Sequence, residues 1–251
     1  MVRRLLAVGV LSVVASGCRP STVSVAFAPQ VGDRYAYRYE IEATITRAIE
    51  GEEPEVIHVD TELVARQEVR ARTSRGARIR LELTREGGTT RTAVALVDRA
   101  GSLEGVELVE GLGAEVLGAA DSIVPTHLPG PPDRPLAPGD RWSGDDGDLH
   151  SHGRLERLGV IDGRDVAVVR TTATEDLARS VRAGASATEV TGRVQSGATT
   201  SYDLVDGATR RSRSWSRGEV QARFAPPRGV VADPVRATIE FEVTVRVTRT
   251  G

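Results

Sequence analysis

Cysteine, lysine and aromatic residues are scarce or missing in this chain of 251 residues. The single cysteine, Cys18, cannot form a disulfide within the chain, so packing alone must stabilise the fold. Lysine does not occur, and the 33 basic residues, all arginine, are offset by 35 acidic residues. The formal net charge of −2 leaves no basic field that would attract a nucleic acid, which excludes that class of partner.

Sequence motifs of the common enzyme classes are also missing. The sequence holds no Gly-x-Ser-x-Gly elbow, phosphate-binding loop, His-Glu-x-x-His or Cys-x-x-Cys. It therefore predicts a protein that is not an enzyme, with neither catalytic nor cofactor-binding residues.

The first seventeen residues have the layout of a secretory signal peptide. Arg3 and Arg4 give a positive start, Leu5 to Val14 is apolar, and Ala15-Ser16-Gly17 supplies small residues for cleavage. The apolar run of ten residues would span about 15 Å as a helix, against roughly 30 Å of hydrocarbon in a bilayer. We therefore predict that residues 1–17 are removed on export.

Ala15-Ser16-Gly17-Cys18 resembles the lipobox of bacterial lipoproteins, although that motif usually has leucine where Ala15 stands. The resemblance implies that the Cys18 thiol is diacylated and becomes the N-terminus of the mature chain. Two acyl chains give stable membrane anchoring, since each buried CH₂ contributes about 0.8 kcal/mol. We expect a lipid-anchored protein on the extracytoplasmic side of the cell envelope, with residues 18–28 as a tether. A plain secretory signal that happens to contain a cysteine is the alternative.

Much of the mature chain alternates between apolar and polar residues with a period of two. Between Arg34 and Thr46 the odd positions are tyrosine, isoleucine or alanine, and the even positions are nearly all polar. The same alternation runs through 57–71, 77–83 and 237–247. This pattern is typical of half-buried strands in an antiparallel sheet that has one solvated face.

Turn sequences separate these alternating segments. Asp162-Gly163 and Asp206-Gly207 predict hairpins, because both residues of such a pair tolerate positive φ. Ser74-Arg75-Gly76 and the stretch 85–90, which contains two glycines, predict two more.

Two segments lack the alternation and favour short helices. In 103–124 the apolar residues recur every three or four positions, which indicates one or two short helices that cover the sheet. Four glycines in that segment weaken a helix by up to about 1 kcal/mol each. Glu175 to Ala183 is a candidate for another short helix in a loop.

A proline-rich segment divides the mature chain. Six of the twelve prolines lie in residues 125–138, which we interpret as a semi-rigid connector. Residues 29–124 then form an N-terminal β unit and residues 139–251 a C-terminal one.

The two predicted β units open alike. The first begins with Gly32-Asp33-Arg34-Tyr35 and the second with Gly139-Asp140-Arg141-Trp142. A true duplication and a chance match both remain compatible with so few residues.

The element Pro135-Leu136-Ala137-Pro138-Gly139-Asp140-Arg141-Trp142, with the Gly-Asp-x-aromatic start near the anchor, resembles a loose group of uncharacterised bacterial lipoproteins. The overall layout is also similar to half-barrel lipid carriers of the LolA and mycobacterial LppX type. That resemblance implies a mainly β fold, a curved antiparallel sheet built as a half-barrel or as two similar β units, with one or two short covering helices. It implies an apolar ligand or lipoprotein held between sheet and helices, and it transfers no catalytic residues.

Three tyrosines form the first candidate site. Tyr35, Tyr37 and Tyr39 would share one face of a strand, where their apolar bodies and polar tips could line a ligand cavity. They could equally be ordinary core residues, and the scarcity of aromatic side chains favours that interpretation.

The stretch Asp145–His152 is the second candidate, because it holds two histidines and three aspartates. Imidazole together with carboxylate suits Zn²⁺ or another divalent ion. The spacing matches no calcium loop, and a hydrated turn explains the same residues, so we predict no metal site.

A binding or carrier lipoprotein for an apolar small molecule or lipid fits these features best. The alternative is an envelope scaffold or a lipoprotein that binds a protein partner, whose identity the sequence does not indicate. The two differ in whether residues 103–124 fill the apolar face of the sheet or leave a cavity. A metal-assisted hydrolase would require a metal bound in the Asp145–His152 stretch.

Overall fold

The protein is built from long β-strands. The computed structural model describes residues 22–85, 88, 90–99, 103–109, 128, 130–183, 186–224 and 234–251. These residues contain eleven strands and no helix, and hence none of them belongs to a helix able to cross a membrane. In chain order the strands are β1 (Arg34–Ile49), β2 (Glu55–Arg72), β3 (Gly76–Arg85), β4 (Thr90–Asp98), β5 (Leu103–Val109), β6 (Arg141–Asp146), β7 (Leu149–Ile161), β8 (Arg164–Ala183), β9 (Ser186–Asp203), β10 (Thr209–Phe224) and β11 (Val235–Arg249).

The eleven strands form one antiparallel sheet in the order β5-β4-β3-β2-β1-β11-β10-β9-β8-β7-β6. Strands that follow each other in the chain are neighbours, except that β5 and β6 lie at opposite edges and β1 pairs with β11. The β1–β11 pairing runs from Tyr37↔Arg249 to Ile49↔Ala237. The mainly β, antiparallel prediction is confirmed, and the segments 29–124 and 139–251 both contribute strands to this single sheet.

The four predicted hairpins are confirmed as connections between neighbouring strands. The turn between β7 and β8 has positive φ at both central residues, 52° at Asp162 and 75° at Gly163. This geometry matches the right-handed twist of the strands that it joins. Gly207 has a φ of 69° in the longer turn between β9 and β10.

The prediction of a helix in 103–124 is wrong for residues 103–109, which form the edge strand β5. The register between β4 and β5 shifts twice. Each shift places an extra residue in β5, so apolar residues three apart in β5 oppose residues two apart in β4. The opposing pairs are Leu103↔Val97, Val106↔Ala95 and Val109↔Ala93. The apparent helical period therefore comes from two β-bulges, and residues 110–124 lie outside the described residues.

The candidate helix from Glu175 to Ala183 is also wrong, because these residues complete β8. They pair with β9 without interruption up to Ala183↔Ser186. Glu175 and Leu177 are buried while Asp176 is exposed, which is the alternation of a strand. The long partner strand satisfies the backbone groups that a helix would have satisfied internally. The described residues supply no helix to cover the sheet.

Distant strands meet at one end of the sheet, so the sheet is curled. The amide of Phe27 donates a hydrogen bond of 2.7 Å to the carbonyl of Arg99, which directly follows β4. The amide of Ala28 donates one of 2.9 Å to the carbonyl of Asp206 in the β9–β10 turn. In a flat sheet β4 and β9, six positions apart, would be separated by about 29 Å. We call the concave side the inner face, the other side the outer face, and the end at which residues 22–28 lie the closed end.

Residues 22–28, which the sequence analysis assigned to the tether, pack into the core at the closed end. Val23, Val25 and Phe27 are at most 8% exposed, while Ser24 between them is exposed. Val23 forms an isolated β-bridge with Leu136, which is fully buried although it belongs to the predicted connector.

This segment joins two clusters of buried residues. One cluster, on β1 to β4, contains Phe27 with Tyr35, Tyr37, Val69 and Ile79. The other, on β7 and β8, contains Val23 and Val25 with Leu136, Leu155 and Val169. The two halves of the sheet therefore both pack against the same short extended segment, residues 22–28.

The similar openings of the two predicted units adopt the same turn. The glycine has a φ of 93° at Gly32 and 98° at Gly139. The aspartate carboxylate accepts a hydrogen bond from the amide three residues earlier, at 2.7 Å for Asp33 and 2.9 Å for Asp140. The glycine amide donates to a buried residue of the next strand, whose own amide donates back to the aspartate carbonyl. The buried residues are Val69 and Leu155, and a register shift follows each of them. The openings are thus equivalent in backbone geometry as well as in sequence.

A glycine opposite Trp142 is required by packing. Gly153 is the cross-strand partner of Trp142, and a Cβ atom there would clash with Cε2 of the indole. The same arrangement recurs at Gly197, where a Cβ atom would lie 2.7 Å from Nε1 of Trp215. Both indoles occupy the space that a missing side chain leaves.

Gly153→Ala should lower the free energy of unfolding by about 1–3 kcal/mol, because the Trp142 ring must leave its position. Urea denaturation measures this change. In a Trp142→Leu background the same substitution should cost much less, since the two sites are coupled. An equal cost in both backgrounds would show that the indole is not the cause.

Candidate functional site

The predicted tyrosine row lies on the inner face of β1. The ring centroids of Tyr35 and Tyr37, and of Tyr37 and Tyr39, are 6.4 Å apart. Tyr35 and Tyr37 are buried in the core with Ala65 and Val69, whereas Tyr39 is half-buried at its edge. Two of the three candidate ligand-lining residues are therefore core residues, and Tyr39 borders the more exposed part of the inner face.

An apolar row continues from Tyr39 away from the closed end. Ile41, Ala43 and Ile45 are half-buried on the inner face of β1. Their apolar cross-strand partners are Val245, Val243 and Phe241 on β11, with Val59 and Ile57 on β2. Ile57 and Val59 are 38% and 36% exposed. The described residues thus leave this part of the inner face partly open to solvent.

Next to β11 the inner face becomes hydroxyl-lined. Ser212, Ser214 and Ser216 of β10 oppose three valines of β11. The hydroxyl groups of Ser212 and Ser216 form hydrogen bonds with Thr200 and Ser196 of β9 at 2.9 and 3.1 Å. The inner face therefore offers apolar contact on β1, β2 and β11 and hydrogen-bonding groups on the adjacent part of β9 and β10. Further along β9 and β10, Val194 and Val220 form a buried apolar cluster with Leu177, against which Phe241 packs.

A network of largely buried charges lies beside the tyrosines at the closed end. Arg210 Nε donates to Asp203 Oδ2 at 3.0 Å, and Arg249 Nη1 donates to Asp206 Oδ2 at 3.4 Å. The four side chains are 2–19% exposed. The Arg249 guanidinium also lies 4.6 Å from the centroid of the Tyr35 ring, within the range of a cation–π interaction. The network connects the β9–β10 turn to the ends of β11 and β1.

This network was not predicted from the sequence. The pairing of Asp203 with Arg210 could have been, because the two residues flank the predicted Asp206-Gly207 turn. The role of Arg249 depends on the β1–β11 pairing, which joins residues more than two hundred positions apart in the chain.

The pKa values of the four tyrosine side chains are raised. Burial raises the pKa of Tyr35, Tyr37 and Tyr39, and at Tyr35 the nearby carboxylates raise it further. Burial also raises the pKa of Tyr202 to about 12, to which the charge of Asp98 contributes. Asp98 ends β4 and Tyr202 lies in β9, so this interaction also reflects the curling of the sheet.

The Asp145–His152 stretch forms a simple hairpin edge. His150 Nδ1 lies 2.8 Å from Asp145 Oδ1 across the β6–β7 pair, and both side chains are exposed. His152 is exposed on the same face of β7. Among the residues that the structure describes, no group of three or more histidine, cysteine, aspartate or glutamate side chains could hold a metal ion.

The outer face carries a groove of about 670 Å³ lined by residues of β1, β9, β10 and β11, among them Arg193, Arg217 and Glu242. The Arg217 guanidinium lies 5.4 Å from the ring centroid of Trp215, which is 37% exposed. An exposed tryptophan beside an arginine is the composition that often dominates protein–protein contacts.

Comparisons with known proteins give no family. No protein-family model and no curated protein matches the chain. Among solved structures, the chain is similar to OmpTdeltaL8, a loop L8 deletion mutant of OmpT, an outer membrane protein of Vibrio cholerae. The sequence identity is 8%, and the match covers 86% of this chain and 100% of that chain at a TM-score of 0.23. A TM-score this low supports no conclusion about the fold or function of this chain.

Tyrosine ionisation should be delayed in the folded protein. The unfolded chain loses its phenolic protons near the ordinary pKa of 10.0, whereas Tyr202 in the folded protein has a pKa of about 12. The stabilisation from these protonated phenols is thus fully present below pH 10 and is lost as the pH rises towards about 12. Ultraviolet absorbance of tyrosinate should appear together with loss of structure. Tyrosinate absorbance near pH 10 in a protein that is still folded would contradict the burial of these rings.

Asp203→Ala should lower the free energy of unfolding by about 3–5 kcal/mol, because it leaves the Arg210 guanidinium buried without its partner. Thermal or urea denaturation measures the loss. The matched control is Glu189→Ala, which removes the partner of Arg223 in a pair whose side chains are 63% and 54% exposed. That change should cost at most about 1 kcal/mol. Similar losses in the two variants would argue against a special role of the buried network.

Proposed function

We propose that this chain is an extracytoplasmic lipoprotein, held on a cell-envelope membrane by acylated Cys18, that binds and carries an apolar ligand or lipid without catalysing a reaction. The half-exposed apolar row on the inner face supports this role. It is formed by Ile41, Ala43, Ile45 and their partners on β2 and β11. Contact between this apolar surface and water is unfavourable, so binding of an apolar group that displaces the water would be favourable.

The composition of the inner face suits a ligand with both apolar and polar parts. Ser212, Ser214 and Ser216 lie one strand away from the valines of the apolar row. Ligand sites are mostly apolar, with a few polar groups that fix the orientation of the ligand. A lipid, with its acyl chain on the apolar row and its polar group towards the serines, has this division.

A second candidate function is binding of a protein partner in the envelope. The outer-face groove, lined in part by Arg217, favours it together with the exposed Trp215 that Arg217 contacts, because both residue types are enriched at the centres of protein interfaces. This role uses the opposite face of the sheet, so the two functions can be separated by substitution.

The test is native mass spectrometry of residues 19–251, produced without the anchor and purified without detergent. We expect a bound mass of several hundred daltons that organic extraction removes. Ala43→Arg should reduce the bound fraction by at least about tenfold, because it places a charge among apolar groups.

The matched control for this test is Thr44→Arg, the same substitution one residue further along β1 on the exposed outer face. It should leave the bound fraction unchanged. A bare polypeptide mass after incubation with envelope lipids would contradict the carrier proposal and make partner binding the better account. Equal losses in both variants would mean that the inner face is not the binding surface.

A further inference from the structure

The closed end of the sheet presents three exposed valines. Val31 is 62% exposed in the turn before β1, Val160 is 55% exposed beside the β7–β8 turn, and Val205 is 77% exposed in the β9–β10 turn. All three lie at the same end, because β1 begins there and β7 and β9 finish there. Contact with the apolar part of a lipid surface would remove these side chains from water, which is favourable.

Exposed arginines lie in turns at the same end of the sheet. Arg72 and Arg75 lie at the β2–β3 turn and Arg164 at the β7–β8 turn, and all three are exposed. Asp162, in the turn beside Val160, is paired with Arg211 at 3.0 Å. Near an anionic lipid surface each arginine contributes about 1 kcal/mol of attraction.

The position of Cys18 identifies the partner of this surface. Only five Cα–Cα steps separate Cys18 from Val23, which is already packed at the closed end. Even when fully extended, they reach about 17 Å. The far end lies about 50 Å away along the sixteen residues of β1. A lipid attached to Cys18 therefore brings the closed end, and not the far end, to the membrane.

We propose that the closed end rests on the lipid surface, with Val31, Val160 and Val205 in the interfacial region and the nearby arginines on anionic headgroups. This inference rests on the proposed acylation of Cys18. It fixes the orientation of the protein. The apolar row extends from the closed end away from the anchoring membrane, so a ligand reaches it from the soluble compartment.

The experiment uses the anchored chain, expressed with its own leader and inserted into vesicles of phosphatidylcholine and phosphatidylglycerol that contain a nitroxide-labelled lipid. The mature chain has no other cysteine than Cys18, so single Val→Cys variants can be labelled with a fluorophore at one site. The probes are Val31→Cys and Val205→Cys. The matched controls are Val56→Cys and Val235→Cys, exposed valines at the far end (53% and 46%).

We expect the membrane-borne nitroxide to quench the labels at positions 31 and 205 and to leave those at 56 and 235 unquenched. Quenching at both ends, or at the far end alone, would overturn the proposed orientation. No quenching at any site, with Cys18 shown to be acylated by the mass of the N-terminal peptide, would overturn the contact while leaving the anchored carrier intact. An unmodified Cys18 would contradict both this inference and the anchor on which it rests.

Discussion

Two backbone hydrogen bonds on adjacent residues hold the shape of this protein. Through Phe27 and Ala28 the end of β4 and the β9–β10 turn are joined, although a flat sheet would keep them about 29 Å apart. A sheet with one apolar face must bury that face, and the described residues supply no second layer to do so. Curling brings the two halves of the inner face together, and residues 22–28 fill the space where they meet.

Because this strip of chain covers only one end of the inner face of β1, burial is uneven along that strand. Tyr37 is almost completely buried near the closed end, whereas Ile41 and Ala43 on the same face are half-buried. The side chains of the charged network are only 2–19% exposed, so its carboxylates and guanidinium groups must pair with each other. On β1 burial is thus greatest near the proposed anchor, and the surface proposed for a ligand lies further along that strand. A separate buried cluster of Leu177, Val194 and Val220 lies further along β8 to β10.

The fold could be predicted from the sequence where the signal was local. Alternation placed β1 and β11, and Asp162-Gly163 placed the β7–β8 hairpin. The spacing in 103–109 was misleading, because two β-bulges gave a strand the apolar period of a helix. At the candidate site the sequence favoured core residues over a ligand cavity for the tyrosine row, and the burial of Tyr35 and Tyr37 confirms that interpretation. The contacts of Tyr35 with Phe27 and Arg249 were not predicted, because residues 22–28 looked like a tether and Arg249 reaches β1 only through the β1–β11 pairing.

The curled sheet is joined at its closed end by residues 27 and 28. This closure can be measured by double electron–electron resonance, with nitroxide labels at Arg99→Cys and Val205→Cys in residues 19–251, which contain no other thiol. The carbonyls of Arg99 and Asp206 bind adjacent amides, so we predict a label separation below about 20 Å. A distribution centred at about 29 Å or beyond, the separation in a flat sheet, would contradict the account.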